Sequence, residues 1–362
     1  MQEELTAAGT VSAVGMSKDG NLVLVAGDRV YELTAGELVQ HNLYAEGSDP
    51  TSLGAVKAIV PRSGGGAWLA AANGLFVLDG AYVTHSPVMV GMGPLAGVTE
   101  VTAGNLNGLW LAATNGIYRR QTQETKRYRI EGWGEAAQGI AADPDGAAAF
   151  AVLDDQLLLL TPGASGPEGA EAPEDVGMVN ALAGAKDTLF AATSKGLYRW
   201  QRMATPQWTR FTLGDTAALD VKVDPVTGAA WVMTADSLLR LDGDALTKFA
   251  RPTGTDRLAI DRLGDVWTAK ASTLVRVKAG VSGAATSFAT ELKPWLQMHC
   301  NSCHADFGDV VAFKPKAESA LQRVRTGDMP RCNGGVPCSA DQHLKPEQYA
   351  VLEAWIRGGK QP

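Results

Sequence analysis

Cysteine is absent from the first 299 residues of this 362-residue chain, and its four cysteines, Cys300, Cys303, Cys332 and Cys338, crowd the last 63. A disulfide framework is therefore excluded from most of the chain, and thiol chemistry belongs to a small C-terminal unit. Histidine is scarce, with five in all and only His41 and His85 ahead of position 299. Both stand on loop-like stretches, and no converging set of titratable groups of the kind a hydrolytic or acid–base site needs is visible there. The chain has no run of about 18 uninterrupted apolar residues, which removes a membrane-spanning helix. It has no excess of positive charge, with 32 Lys+Arg against 39 Asp+Glu and a net charge of −7, so the basic footprint of a nucleic-acid binder is missing. At 45% apolar and 20% charged residues, disorder, collagen and coiled-coil rods are excluded too. At roughly 150 residues per domain the length points to two domains.

What the long region does contain is an internal repeat. Gly66-Ala67-Trp68-Leu69-Ala70-Ala71-Ala72-Asn73-Gly74-Leu75-Phe76 recurs as Gly108-Leu109-Trp110-Leu111-Ala112-Ala113-Thr114-Asn115-Gly116-Ile117-Tyr118, and again as Phe190 to Tyr198. In each copy a large anchor precedes a second large residue by eight positions, and weaker copies keep that offset: Val23 to Tyr31, Phe150 to Leu158, Trp231 to Leu239 and Trp267 to Val275. The seven anchors are 45, 42, 40, 40, 41 and 36 residues apart, the period of a four-stranded propeller blade.

Each copy reads as two strands around a turn, and Asn-Gly is the dipeptide of a type I′ hairpin. An alternating apolar run precedes each anchor, as in Val56 to Val60 and Leu219 to Val223, and suits an inner strand; a more polar run follows, as in Lys126 to Ile130 and Trp208 to Thr212, and suits an outer one. The expected fold class is thus mainly β, a seven-bladed β-propeller over residues 1–289, followed by a small all-α domain over 290–362. The Pro/Gly/Glu-rich stretch 161–175 reads as a loop, leaving blade four with three strands. Ring closure has two candidate outer strands for blade seven, Thr286 to Thr290 and the N-terminal Leu5 to Thr10. The Gly-Leu-Trp-Leu-Ala-Ala-Thr-Asn-Gly-Ile-Tyr stretch resembles the repeat of two-component-regulator type propellers. In that family the Trp and aromatic positions are packing residues, which implies core roles for Trp68, Trp110, Trp231 and Trp267.

The C-terminal unit carries Cys300-Asn301-Ser302-Cys303-His304, the C-x-x-C-H pattern of covalent c-type haem attachment. Two thiols on one turn can each add to a porphyrin vinyl group, and the next imidazole then sits beneath the iron. Leu292, Trp295, Leu296 and Met298 give the preceding segment helical spacing, and Tyr349, Leu352 and Trp355 give the closing helix an apolar stripe for it to pack on. Met329, in Gly327-Asp328-Met329-Pro330, is the candidate distal ligand, and His/Met ligation raises the reduction potential. The rivals are His299 and Met298, poorly placed because the first precedes the attachment cysteine and the second is read as facing the helix core, and His343, which would lower the potential. This order of motifs, ending in Ala354-Trp355-Ile356-Arg357-Gly358-Gly359, resembles the small single-haem cytochrome c domains attached to other modules in bacteria. The resemblance spans about the last 72 residues. It implies Cys300 and Cys303 as the thioether attachments of one haem c, His304 as proximal ligand and Met329 as distal ligand. Only 25 positions separate His304 from Met329, so the domain is a minimal one. For Cys332 and Cys338 two readings are open. One is a disulfide closing the short Gly-rich loop between them, favoured because haem attachment and disulfides share an oxidising compartment; the other is a zinc site formed with Cys300 and Cys303.

A propeller has no function by fold alone. The expected function is that of an extracytoplasmic c-type cytochrome carrying one electron, with the propeller as a docking or ligand-sensing scaffold. The alternatives are a quinohaemoprotein-like dehydrogenase whose propeller oxidises a small substrate, and a zinc-binding tail on an interaction propeller. No Asp/Glu pattern of a calcium loop supports the dehydrogenase. The expected partners are redox proteins, with a protein or small ligand on the propeller face. Residues 289–362 hold nine Lys+Arg and eight Asp+Glu, net +1, which leaves the propeller at −8 and able to steer a basic partner. Haem attachment implies a periplasmic or otherwise extracytoplasmic location in bacteria. Met1 to Leu5 has neither a basic start nor an apolar stretch of signal length, so a leader is expected to have been removed.

Overall fold

The computed structural model describes residues 2–18, 20–34, 37–47, 50–62, 65–90, 93–95, 97–103, 108–121, 124–128, 137–142, 149–153, 156–160, 176–185, 188–201, 207–213, 216–224, 228–261, 264–277, 287–300, 304–325 and 346–357. They fall into two compact units, Gln2–Asp261 with Val266–Arg276, and a C-terminal unit from Val277 onward.

The first unit is a β-propeller of seven antiparallel blades. Blade one is Val11–Met16, Leu22–Ala26, Arg29–Thr34 and Glu37–Tyr44, and blade three is Val98–Ala103, Leu109–Ala113, Gly116–Gln121 and Glu124–Tyr128. The first strands touch one another in sequence around the axis, and that of blade seven returns to that of blade one. Second strands are continuous apolar runs because a neighbouring blade covers each face: Leu22–Ala26, Leu109–Ala113, Ala149–Leu153 and Ala230–Met233 bury every residue. Accordingly, the buried residues of the propeller gather into clusters that each draw on two consecutive blades, as Trp110, Ala112 and Ile117 do with Ala149, Ala151 and Leu158. The fourth strand Ala245–Ala250 is almost wholly exposed, as an outer strand is, Leu246 included.

Blade seven closes through the N-terminus, but the strand that does so is Gln2–Thr6 and shares only Leu5 and Thr6 with the expected Leu5 to Thr10. Gln2–Thr6 lies beside Thr273–Val277 as the outer strand, with Ala7 N donating to Ser272 O at 2.8 Å and Val11 N to Ala271 O at 2.7 Å. The other candidate, Thr286 to Thr290, forms no strand over its described residues, 287–290. Phe288–Leu292 forms a π-helical turn started by Glu291, whose carboxylate accepts from Ser287 N at 2.9 Å. Blade four shows three strands, Ala137–Ala142, Ala149–Leu153 and Gln156–Leu160; the loop expected at 161–175 lies outside the described residues. Blades one and two also join at their outer strands, with Asn42, Leu43 and Tyr44 running parallel to Tyr82, Val83 and Thr84.

Two expectations need correction. The repeated hairpin is not a type I′ turn on Asn-Gly. Ala71 pairs with Gly74, Ala113 with Gly116 and Thr193 with Gly196, so the turn residues are Ala72-Asn73, Thr114-Asn115 and Ser194-Lys195, none with positive φ. The glycine opens the next strand at φ 127°, 144° and 126°, and a Cβ there would meet the outer strand: 2.9 Å from Arg127 Nε at Gly116, 3.0 Å from Phe211 O at Gly196. The other correction is Trp68. Trp110, Trp231 and Trp267 are each 1% exposed, whereas Trp68 is half-buried, with the Arg62 and Arg120 guanidiniums 5.9 and 5.7 Å from its ring.

The C-terminal unit is helical: α1 (Lys293–His299), α2 (Val310–Phe313), α3 (Ala317–Arg325) and α4 (Pro346–Arg357). Its core holds Phe288, Leu292, Leu296, Phe307, Phe313, Leu321, Tyr349, Leu352 and Trp355. Of the stripe expected upstream, Leu292 and Leu296 share this core with Tyr349, Leu352 and Trp355 of the last helix, Trp295 lies partly buried against it, and Met298 does not join it. No helix among the described residues is long and apolar enough to cross a membrane.

Candidate functional site

In the C-terminal unit, Leu292 at the end of the π-helical turn and Leu296 of α1 point inward, and α1 ends at Cys300, whose N–H donates to Leu296 O at 2.8 Å. Cys300 is half-buried against the apolar core. One turn on, His304 N donates to Cys300 O at 3.0 Å, so the thiol and the imidazole residue are set by consecutive backbone bonds. The chain then enters a 3₁₀ turn, Ala305–Gly308, with Phe307 N bonded to His304 O at 3.0 Å. The His304 ring lies flat on Phe307, centroids 4.5 Å apart and planes 10° from parallel. Asp309 starts α2 by accepting from Val311 N and Ala312 N at 2.8 and 3.0 Å.

A thiol and an imidazole one turn apart at the edge of a Phe/Leu/Trp core are the donors and the apolar surroundings a covalently held porphyrin needs. Of the residues that the sequence singles out for haem, Cys300 and His304 are the described ones. Cys303, Met329, Cys332, Cys338 and His343 lie outside the described residues. The rivals are placed differently from one another. His299 is half-buried with its ring 5.0 Å from Trp295, and this partial burial holds its imidazole below the ordinary range. Met298 does not face the helix core: it is 79% exposed, because the inward stripe runs through Leu292 and Leu296.

The propeller carries a second cluster, which the sequence reading missed. Glu100 on the first strand of blade three accepts from Ile140 N of blade four at 2.8 Å. Lys222 on the first strand of blade six, Asp220–Val223, pairs with Asp220 at 3.2 Å, and its side chain is still 41% open. Burial pushes the Glu100 carboxyl up to about 7, against the opposing pull of the Ile140 N–H and the Lys222 charge. Burial also disfavours the Lys222 charge, but Asp220 and Glu100 outweigh it and the amine sits above its ordinary value. The signal in the sequence was a charge inside an inner strand, at Glu100 and Lys222. Glu100, Asp220 and Arg257 hold equivalent places in their blades, opposite Ala112, Met233 and Ala269, and Arg257 Nε reaches the next blade as Glu100 does, donating to Ser12 O at 3.1 Å.

The two propeller histidines are not on loops. His41 is buried on the outer strand of blade one, 3.5 Å from Glu32, and His85 ends the outer strand of blade two with its ring 5.2 Å from Phe76.

No protein-family model and no curated protein matches the chain. Solved structures do match in fold. Virginiamycin B lyase from Staphylococcus aureus aligns at a TM-score of 0.58 and 12% identity, over 76% of this chain and 98% of the lyase. The extracellular domain of a hybrid two-component system from B. thetaiotaomicron aligns at 0.58 and 13% identity, over 80% of this chain and 41% of that one. The WD40 β-propeller domain of Doa1 aligns at 0.58 and 9% identity, over 77% and 97%. At these identities the likeness concerns the propeller fold alone.

Proposed function

We propose that the protein is an extracytoplasmic c-type cytochrome that carries one electron on a single covalent haem, with the propeller as its docking or ligand-sensing scaffold. The observation that carries this reading is Cys300-Asn301-Ser302-Cys303-His304, with Cys300 and His304 one backbone-bonded turn apart at the end of an amphipathic helix. Cys300 and Cys303 would form the thioethers, and His304 and Met329 the axial bonds. When bound, the haem supplies an iron that alternates between ferric and ferrous states. The chain's own residues do the rest. Leu296 and Cys300 hold the attachment turn against the core, and Phe288, Phe307, Phe313 and Trp355 exclude water from its apolar side.

The location follows from the attachment chemistry. Redox proteins are the proposed partners, reached through the helical unit or the acidic propeller. The test is a pyridine haemochrome assay with intact mass on protein made with the haem-maturation machinery. One haem c retained under denaturing conditions is expected; a metal lost on denaturation would instead favour a zinc tail.

A second reading, a propeller that oxidises a small substrate and passes electrons to the haem, is favoured by Glu100, a carboxyl on the inner strand Val98–Ala103 that accepts from Ile140 N at 2.8 Å and that burial pushes up to about 7, as a general base needs. Dye reduction with alcohols or sugars after adding a quinone cofactor and calcium tests it, and loss of that activity in Glu100→Gln is the expected mark.

A further inference from the structure

His304 leaves its backbone little freedom. Its N–H is bonded to Cys300 O and its carbonyl to Phe307 N, each at 3.0 Å, so the orientation of the imidazole is decided by side-chain torsions alone. What meets that ring is Phe307, in a face-to-face stack with centroids 4.5 Å apart and planes 10° from parallel.

Phe307 is itself held on several sides. It is buried to 7% exposure, its ring is tilted 59° against Phe313 at 4.8 Å, and the Lys316 ammonium stands 5.8 Å from its centroid. Lys316 is in turn paired with Asp306, the residue before Phe307. Phe313 continues into Trp355 at 5.8 Å and Phe288 at 6.3 Å, so the plate under the imidazole is backed by the aromatic core of the unit. A hydrogen-bond partner is the usual device for orienting a ligand histidine. Here an aromatic face lies along the ring plane.

Resting on the cytochrome reading, we propose that Phe307 is a positioning residue for the axial ligand: it sets the plane of the His304 imidazole about the bond to iron. The orientation of an axial imidazole controls how unpaired electron density spreads over the porphyrin. Its readout is therefore the pattern of haem methyl shifts in the ferric protein, compared between a variant that removes the aromatic face and one that keeps it.

The experiment uses the full chain carrying covalent haem. In the diamagnetic ferrous protein, nuclear Overhauser contacts between the His304 ring protons and those of Phe307 are expected; their absence overturns the proposal without any variant. In the ferric protein, Phe307→Leu should keep one covalent haem per chain by mass and redistribute the methyl shifts, while Phe307→Tyr, which keeps the face, should retain the wild-type pattern. A Phe307→Leu spectrum identical to wild type also overturns it. Wild-type protein that attaches no haem would bring down the cytochrome reading itself, an outcome separate from these two.

Discussion

The Ala7 backbone N–H donates to Ser272 O at 2.8 Å, and through it the N-terminal strand becomes the outer edge of the last blade. The ring is thus fastened without a covalent bond, and Leu5 adds packing against the cluster shared by blades seven and one. Deleting residues 1–7 removes a strand's worth of backbone bonds at about 1 kcal/mol each and leaves Thr273–Val277 as an open edge. A loss of about 4 kcal/mol is expected in denaturant unfolding followed by tryptophan fluorescence. A variant within 1 kcal/mol of wild type by that ~1 kcal/mol-per-bond measure would mean that the strand does not hold the ring.

Gly196 opens its strand at φ 126° with the Phe211 carbonyl 3.0 Å from where a Cβ would sit. Gly27 has φ 60° and nothing within 4 Å. Alanine at Gly27 therefore meets only the left-handed backbone penalty, about 1 kcal/mol, while alanine at Gly196 adds a clash with main chain that cannot swing away and should cost about 3 kcal/mol. Thermal unfolding of the two variants side by side checks the order, and equal losses would contradict it.

The blades were legible in the sequence because burial between neighbouring blades puts an apolar anchor, Trp or Phe in six copies and Val23 in the first, into each second strand. The repeat also contained something harder to see. Arginine stands nine positions after the anchor in four copies, Arg119, Arg199, Arg240 and Arg276. Cross-strand register sets Arg119 opposite Trp110, with its guanidinium 5.5 Å from the ring; Arg276 lies at the same distance from Trp267 and pairs with Asp261 at 3.1 Å. The turn was misjudged by one residue because Asn-Gly is a local signal, whereas the glycine answers to the neighbouring outer strand. Closure could not be chosen between two segments because the choice depends on which edge is left open in three dimensions. Glu100 and Lys222 escaped notice for a related reason: their attraction spans blades three and six. At the C-terminus the attachment motif and the helical stripes were plain, but the exposure of Met298 was not, since its spacing also suits the buried side.

Glu100 gives the propeller a distinct pH signature. Its carboxyl rises from 4.5 to about 7 on folding, so between those values the native state holds more protons than the unfolded chain. Stability from this group is complete below about pH 4.5 and is lost as pH climbs through 7. The span corresponds to about 3 kcal/mol at 1.36 kcal/mol per unit. Glu100→Gln keeps an acceptor for Ile140 N and cannot ionise, so its stability measured by urea unfolding from pH 4.5 to 8 should lack that decline and exceed wild type at the alkaline end. A wild-type profile parallel to that of the variant would show that Glu100 ionises at its ordinary value.

Met329, the proposed distal ligand, would decide what kind of electron carrier the proposed haem makes. A thioether is soft and favours ferrous iron, so a His/Met pair lifts the potential above that of a bis-histidine pair. Replacement of Met329 by Ala should remove the methionine-to-iron charge-transfer band of the oxidised protein and lower the potential, while the covalent haem, held by Cys300 and Cys303, stays attached by mass. His343 offers the contrasting outcome. If the band is absent from wild type and His343→Ala changes the spectrum while Met329→Ala does not, the ligand pair is bis-histidine and the carrier works at low potential. Potentiometric titration of wild type and both variants separates the two arrangements, because only the true ligand moves the midpoint.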